Sequence, residues 1–228
     1  MRRSAHKTAK SPRRTGQSRT ALKGEHIVGE ALALIDEEGL DALSMRTLAS
    51  RLGVEAMSLY HHFPSKAALL TAVSRALSEE VAARWVNPPK GWKERIVALG
   101  RVEIETILAH PNAVLLMTAR SNPGGTGYVT IEAMLRALSD AGLEAKASLL
   151  WSRSIISFIN GVGAYFVPLT SQDVSAPPPP DPQHFPLTTQ ALAIRRKLTA
   201  DPYGVMERGL RPMLAAIEAE VAGKRARR

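Results

Sequence analysis

From Glu25 onward the apolar positions of this chain recur every three and four residues, the period of a helix with one buried face. Ile27, Val28, Ala31, Leu32, Leu34 and Ile35 form the first stripe, and Gly39 stands where a helix stops. The pattern predicts a short helix from Ser44, a good N-cap, to Leu52, with Gly53 as the break, and a second from Glu55 to His62. Ser65 caps a longer segment reaching about Trp85, which Asn87-Pro88-Pro89 closes.

Further helices are predicted over Gly91–Ala109, Asn112–Arg120, Tyr128–Ala141 and Ala145–Val167, the last apolar around most of its circumference. Ser121-Asn122-Pro123-Gly124-Gly125 reads as a loop. The stretch 168–186 holds Pro177-Pro178-Pro179-Pro180, Pro182 and Pro186, and reads as a loop of polyproline character, either a solvated surface segment or a docking motif. A last helix, Tyr203–Ala222, carries Val205, Met206, Leu210, Met213, Leu214 and Ile217 on one broad face, and Pro212 within it predicts a kink. No alternating apolar run is long enough for a sheet. The expected fold class is all-α.

Composition narrows the chemistry. The 228 residues contain no cysteine, which excludes disulfides, thiol catalysis, cysteine–zinc fingers and iron–sulfur clusters. No apolar run approaches the ~18–20 residues of a membrane span, and the N-terminus lacks the apolar stretch of a secretory signal. The expectation is a soluble cytoplasmic protein with no membrane partner. The net charge of +9 is unevenly placed: eight positive charges and no acid fall in residues 1–24, and four more in the tail 224–228, leaving 25–223 net negative. The arm 1–24 is expected to be disordered, either neutralising nucleic-acid phosphates or serving as a solubilising tail.

The informative stretch is MRTLASRLGVEAMSLYHHF, Met45 to Phe63. Leu48 and Leu52 lie four apart on one face, and Leu59 falls where a second helix crosses them. Ala49 is small at the crossing, Gly53 can take the left-handed conformation of a short turn, and Val54 plugs the angle. This spacing matches a DNA-binding helix-turn-helix. The outer face of the second helix carries Ala56, Met57, Ser58, Tyr60, His61 and His62, with no acid after Glu55. Such a surface suits a major groove, where Ser and His reach base edges or phosphates and Ala and Met meet thymine methyls. Arg46 and Lys66 flank it, placed for phosphates. Plainer readings make Tyr60 core and Arg46 and Lys66 solvated charges. His61 and His62 are a poor metal pair, because neighbours on a helix point about 100° apart. No metal and no cofactor is expected.

At these residues the chain resembles the tetracycline repressor (TetR) family of bacterial transcription factors. LGVEAMSLYHHFPSKAALL, Leu52 to Leu70, carries the family's order: a turn glycine, a helix ending in Tyr, an aromatic, Ser-Lys and a Leu-rich fourth helix. The resemblance is closest to the tetracycline repressor branch. It implies a three-helix DNA-binding domain over 25–86 and a homodimer on a palindromic operator of double-stranded DNA. It carries DNA contact onto Arg46, Ala56, Met57, Ser58, Tyr60, His61, His62 and Lys66. Tyr60 and Lys66 match phosphate-binding positions, and Ser58 and His62 match polar contact positions. Ala56 and Met57 depart from the branch's residues, so its operator does not carry over.

The resemblance further implies a helical ligand-binding and dimerisation domain over 87–223, in which Ala145–Val167 and the final helix pair with their counterparts in a four-helix bundle. The branch's repressor holds a magnesium–drug chelate through histidine and glutamate. Here Met117 stands near the expected metal histidine, Tyr165 near the acidic position and Ala82 near another histidine, so magnesium–tetracycline sensing is not expected. The replacement inventory, Met117, Trp151, Ile155, Phe158, Ile159, Asn160 and Tyr165, suits a small hydrophobic or aromatic effector or ordinary core packing. Three functions follow: a repressor released by such a ligand, a helix-turn-helix regulator controlled by a protein partner, and an enzyme. No phosphate loop, serine elbow or metal-spaced motif supports the last. A cavity of several hundred Å³ favours the first over the second.

Overall fold

The computed structural model describes residues 22–118, 128–167, 178–195 and 201–226. The basic arm up to residue 21, the loop at 121–125, the opening of the proline-rich stretch and the last two tail residues lie outside them. Among the described residues there are ten α-helices and no strand. They are α1 (Gly24–Glu38), α2 (Met45–Leu52), α3 (Ala56–Tyr60), α4 (Lys66–Arg84), α5 (Trp92–Ala109), α6 (Val114–Thr118), α7 (Tyr128–Ala141), α8 (Ala145–Phe166), α9 (Pro186–Arg195) and α10 (Pro202–Arg225). Two 3₁₀ turns, Leu40–Ala42 and Pro111–Ala113, join neighbouring elements.

Local chemistry sets several boundaries. At the start of α2 the Ser44 hydroxyl accepts from the Thr47 N–H at 3.0 Å, and the Ser44 N–H donates to Thr47 Oγ1 at 2.9 Å, a reciprocal capping box. Ser65 Oγ accepts from the Ala68 N–H at 3.1 Å and opens α4. Gly53 closes α2 at φ 65°, a left-handed conformation that costs a residue with a Cβ about 1–2 kcal/mol.

Three elements differ from the sequence pattern. The second helix of the pair ends at Tyr60 rather than His62. The N–H groups of His62 and Phe63 both bond to the Leu59 carbonyl, at 3.0 and 2.9 Å, and Pro64 disfavours helix at the residue before it. The helix expected from Asn112 begins as a 3₁₀ turn at Pro111 and becomes α only at Val114. Helix α9 has no counterpart in the sequence reading. Its apolar Leu187 and Ile194 are exposed, so they make no stripe toward a core. Pro186, the end of the expected loop, instead opens a helix at the position where a missing N–H is harmless.

The buried side chains form two clusters. The first joins Ile27, Ala31 and Ile35 of α1, Leu48 and Ala49 of α2, Leu59 of α3, and Leu69, Val73 and Leu77 of α4. The second joins Ile96, Leu99 and Ile104 of α5, Met134 and Leu138 of α7, Ile155 and Ile159 of α8, and Met206, Leu210 and Ile217 of α10. Helix α5 lies at the centre of the second and packs against α7, α8 and α10. A Cβ on Gly100 of α5 would lie 2.5 Å from the Met206 sulfur and 3.1 Å from Ile159 Cδ1, so these three helices meet almost backbone to side chain. Helix α4 touches α1 at one end and α5, α6 and α7 at the other, which makes it the shared wall of the two clusters.

Candidate nucleic-acid interface and effector cavity

Burial of Leu48, Ala49 and Leu59 fixes how α2 and α3 cross, with Leu52 and Val54 packed at the edge of the same cluster. The Val54 N–H reaches the Ala49 carbonyl at 3.0 Å, which locks the turn between them. With Leu59 turned inward, Met57 is 68% exposed and Tyr60 43%. His61 and His62 are exposed on the turn that follows, and Ala56 and Ser58 are half-buried. Arg46 at the start of α2 and Lys66 at the start of α4 are exposed to either side. All eight residues are exposed or half-buried, in or near a five-residue helix.

Arg51 is basic and close by but turned away. Its guanidinium grips both carboxylate oxygens of Glu37 at 2.7 and 2.8 Å and bonds Glu30 at 2.9 Å, tying α2 to α1. The Arg51 hydrogen bonds hold the Glu37 carboxyl below the ordinary carboxylate range and raise the already high pKa of the arginine.

A cavity of about 100 Å³ lies among five helices. Ser74, Leu77, Ser78 and Val81 of α4, Glu103 of α5, Met117 of α6, Thr130 and Ile131 of α7, and Ile156 and Asn160 of α8 line it. That is ring-sized, below the several hundred Å³ of a ready-made drug site. Glu103 is only 9% exposed, and Thr130 Oγ1 donates to its carboxylate. Burial pushes the Glu103 carboxyl above the usual carboxylate range, against the opposing pull of Thr130.

Of the seven candidate ligand residues, Met117 and Asn160 line this cavity. Ile155 and Ile159 are buried in the second cluster, and Phe158 lays its ring on the backbone of Gly209. Trp151 donates its indole N–H to Glu220 at 3.0 Å, which lowers the Glu220 pKa. Tyr165 is 70% exposed, edge-on to Phe166. Glu103, Thr130, Ser74 and Ser78 were absent from the sequence inventory. Among the described residues no group of three or more His, Asp or Glu side chains is arranged to hold a metal ion, and no helix is long and apolar enough to cross a membrane.

The cavity and the first cluster share residues. Leu77 lines the cavity and belongs to the first cluster, and Met117 lines it while packing against that cluster. His110, at the end of α5, bridges Asp36 of α1 and Glu80 of α4.

Two family models match the chain: bacterial regulatory proteins of the tetR family over residues 27–73, and the tetracyclin repressor-like C-terminal domain over residues 87–221. The chain belongs to the TetR family. The first match spans α1 to the middle of α4, and the second takes in the second cluster and six of the ten residues that line the cavity. Among curated relatives, the class A tetracycline repressor from transposon 1721 of Escherichia coli is 34% identical over 127 residues, 55% of this chain and 58% of that protein. In the first three such matches the chain spans 58%, 63% and 66% of the relative's length. Among solved structures, a possible TetR family transcriptional regulator from Streptomyces coelicolor A3(2) superposes with a TM-score of 0.74 at 25% identity, covering 86% of this chain and 99% of that one. The Streptomyces coelicolor TetR family protein ActR, in complex with actinorhodin, gives 0.69 at 26% identity over 88% of this chain and 97% of its own. The TetR family is one of bacterial regulatory proteins, not of enzymes.

Proposed function

We propose that the chain is a sequence-specific DNA-binding repressor, homodimeric on a palindromic operator and released by a small apolar or aromatic molecule held in the C-terminal unit. The observation that carries the reading is the surface around α3. Met57 and Tyr60 stand outward on a helix whose position Leu48, Ala49 and Leu59 fix from below, with His61 and His62 exposed on the turn after it, between Arg46 and Lys66. Ala56, Met57, Ser58, His61 and His62 read base edges and thymine methyls, and Arg46, Tyr60 and Lys66 hold phosphates. The units 25–86 and 87–223 are the DNA-binding and the ligand-binding and dimerisation domains.

Pairing is supported by the outer faces of α8 and α10, which pack on each other. Leu149, Leu150 and Tyr165 on α8 and Val205 on α10 are exposed, beside small exposed residues such as Ser157, Ala164, Ala215 and Ala219 that let a second copy approach closely. Two α3 helices about 34–36 Å apart then enter successive major grooves. The protein acts in the bacterial cytoplasm, on the nucleoid when DNA-bound.

The cavity, at about 100 Å³, is smaller than the several hundred Å³ that would favour ligand release outright; α4 supplies four of its lining residues, so a larger effector would act by shifting α4. Moving α4 moves the Leu69, Val73 and Leu77 side chains on which α1, α2 and α3 rest. The actinorhodin complex of ActR supports a small-molecule effector over control by a protein partner. Coupling of about 1–3 kcal/mol corresponds to a 5- to 150-fold loss of DNA affinity.

Selection of bound duplexes from random DNA with the purified protein tests this reading. The expected product is a palindrome whose half-site centres lie about one helical turn apart. Failure to enrich any sequence contradicts it.

A further inference from the structure

The cavity holds one side chain that an apolar effector does not explain. Glu103 lies in the buried phase of α5, in step with Ile96, Leu99 and Ile107, which are fully buried. At this place a glutamine or leucine would fill similar volume, whereas a carboxylate taken out of water without a cation is costly. Among the described residues no lysine, arginine or histidine forms an ion pair with it, and its recorded side-chain partner is the Thr130 hydroxyl. Three arginines of α4 and α5 face other acids: Arg84 meets Glu80, Arg95 meets Asp140 and Arg101 meets Glu207. The remaining lining is apolar, from Leu77, Val81, Met117, Ile131 and Ile156, or neutral and polar, from Ser74, Ser78 and Asn160.

We infer that the effector of this cavity is an organic cation, an apolar or aromatic body bearing a protonated nitrogen that pairs with Glu103. The inference rests on the effector reading above and adds the chemical class of the ligand. The apolar side chains supply contact area, and Glu103 supplies the counter-ion. A charged hydrogen bond in a dry site is worth more than the same contact in water, so the carboxylate discriminates a cation from a neutral molecule of equal shape. Its hydrogen bond from Thr130 keeps the carboxylate oriented toward one side, and Asn160 offers an amide to a second polar group of the ligand.

The size of the cavity suits a one-ring probe, and benzylammonium and benzyl alcohol form a pair of nearly equal shape that differ in charge. Isothermal titration of the full-length protein with each, at matched ionic strength, gives the expected result directly: wild type prefers benzylammonium by roughly tenfold or more. Glu103→Gln abolishes that preference, because the amide conserves shape and volume but removes the charge. Melting by circular dichroism checks that the variant is folded. Should it not fold, Glu103→Asp keeps the charge but withdraws it by one methylene, and is expected to narrow the preference. Equal binding of the two probes by wild type, binding of neither, or a preference that survives Glu103→Gln (or is unchanged in Glu103→Asp where that variant is used) overturns the inference. The DNA selection is read separately: an operator recovered from a protein with no charge preference refutes the cation and leaves the repressor standing, and the reverse result does the opposite.

Discussion

Nδ1 of His110 lies 2.8 Å from Oδ2 of Asp36, joining the end of α5 to α1. The second ring nitrogen lies 2.9 Å from Oε2 of Glu80 on α4, and Asn112 donates to the Asp36 carbonyl at 2.9 Å. One side chain thus ties together the helix that walls the cavity, the central helix of the second cluster and the first helix of the first cluster. Replacing His110 by Ala is expected to leave operator binding measurable but to reduce the effector-linked loss of affinity from its ~1–3 kcal/mol. Fluorescence anisotropy of labelled operator, with and without effector, measures this. Undiminished coupling in the variant would give the ring a purely structural role.

Core and surface of α3 are separable. Leu59 is fully buried, so Leu59→Ala is expected to cost about 2–5 kcal/mol in urea unfolding and to abolish DNA binding with it. Met57 is exposed, so Met57→Ala is expected to change stability by no more than about 0.5 kcal/mol while altering operator preference. Equal stability losses from the two would place α3 differently.

The phosphate and base roles also separate. Lys66→Ala and Tyr60→Phe are expected to weaken binding evenly across sequences, and Lys66→Ala to reduce the slope of log affinity against log salt by about 0.9. Titrations at several salt concentrations give both quantities. A change in the preferred sequence from either substitution contradicts the assignment.

Much of this was readable from the chain. The Leu48, Ala49, Gly53, Leu59 spacing placed α2 and α3 because it is local: every residue that fixes the turn lies within a dozen positions. Helix α7 ends at Ala141 as expected because Gly142 stops a strongly one-sided helix. The cavity was less legible. Its walls come from five helices, and no periodicity within one helix says which of its buried residues face a void. Glu103 still left a trace, an acid in step with Leu99 and Ile107 on a face otherwise apolar. The His110 bridge left none, since Asp36 and Glu80 lie 74 and 30 residues from it. Helix α9 escaped notice for the opposite reason, its apolar residues facing outward.

The Arg51 clamp carries a pH signature. Glu37 is held below the ordinary carboxylate range in the folded protein, so the unfolded chain takes up its proton first as pH falls. The stabilisation is complete above the ordinary range and disappears as pH drops through the lowered value. Both side chains reach solvent, so Arg51→Ala is expected to lower the melting temperature only slightly at neutral pH. The difference from wild type should shrink in acid and diminish at high salt. A difference that grows on acidification contradicts the clamp.

The central claim is that two copies of α3 face successive grooves of one duplex. The chain has no cysteine, so Glu55→Cys places a single spin label per subunit at the exposed start of α3. Pulsed dipolar spectroscopy of the labelled protein on its selected operator measures the separation across the pair. The account expects a distribution centred near one DNA turn, about 34–36 Å broadened by the label tethers. Absence of any dipolar signal, or a separation far from one turn, contradicts it.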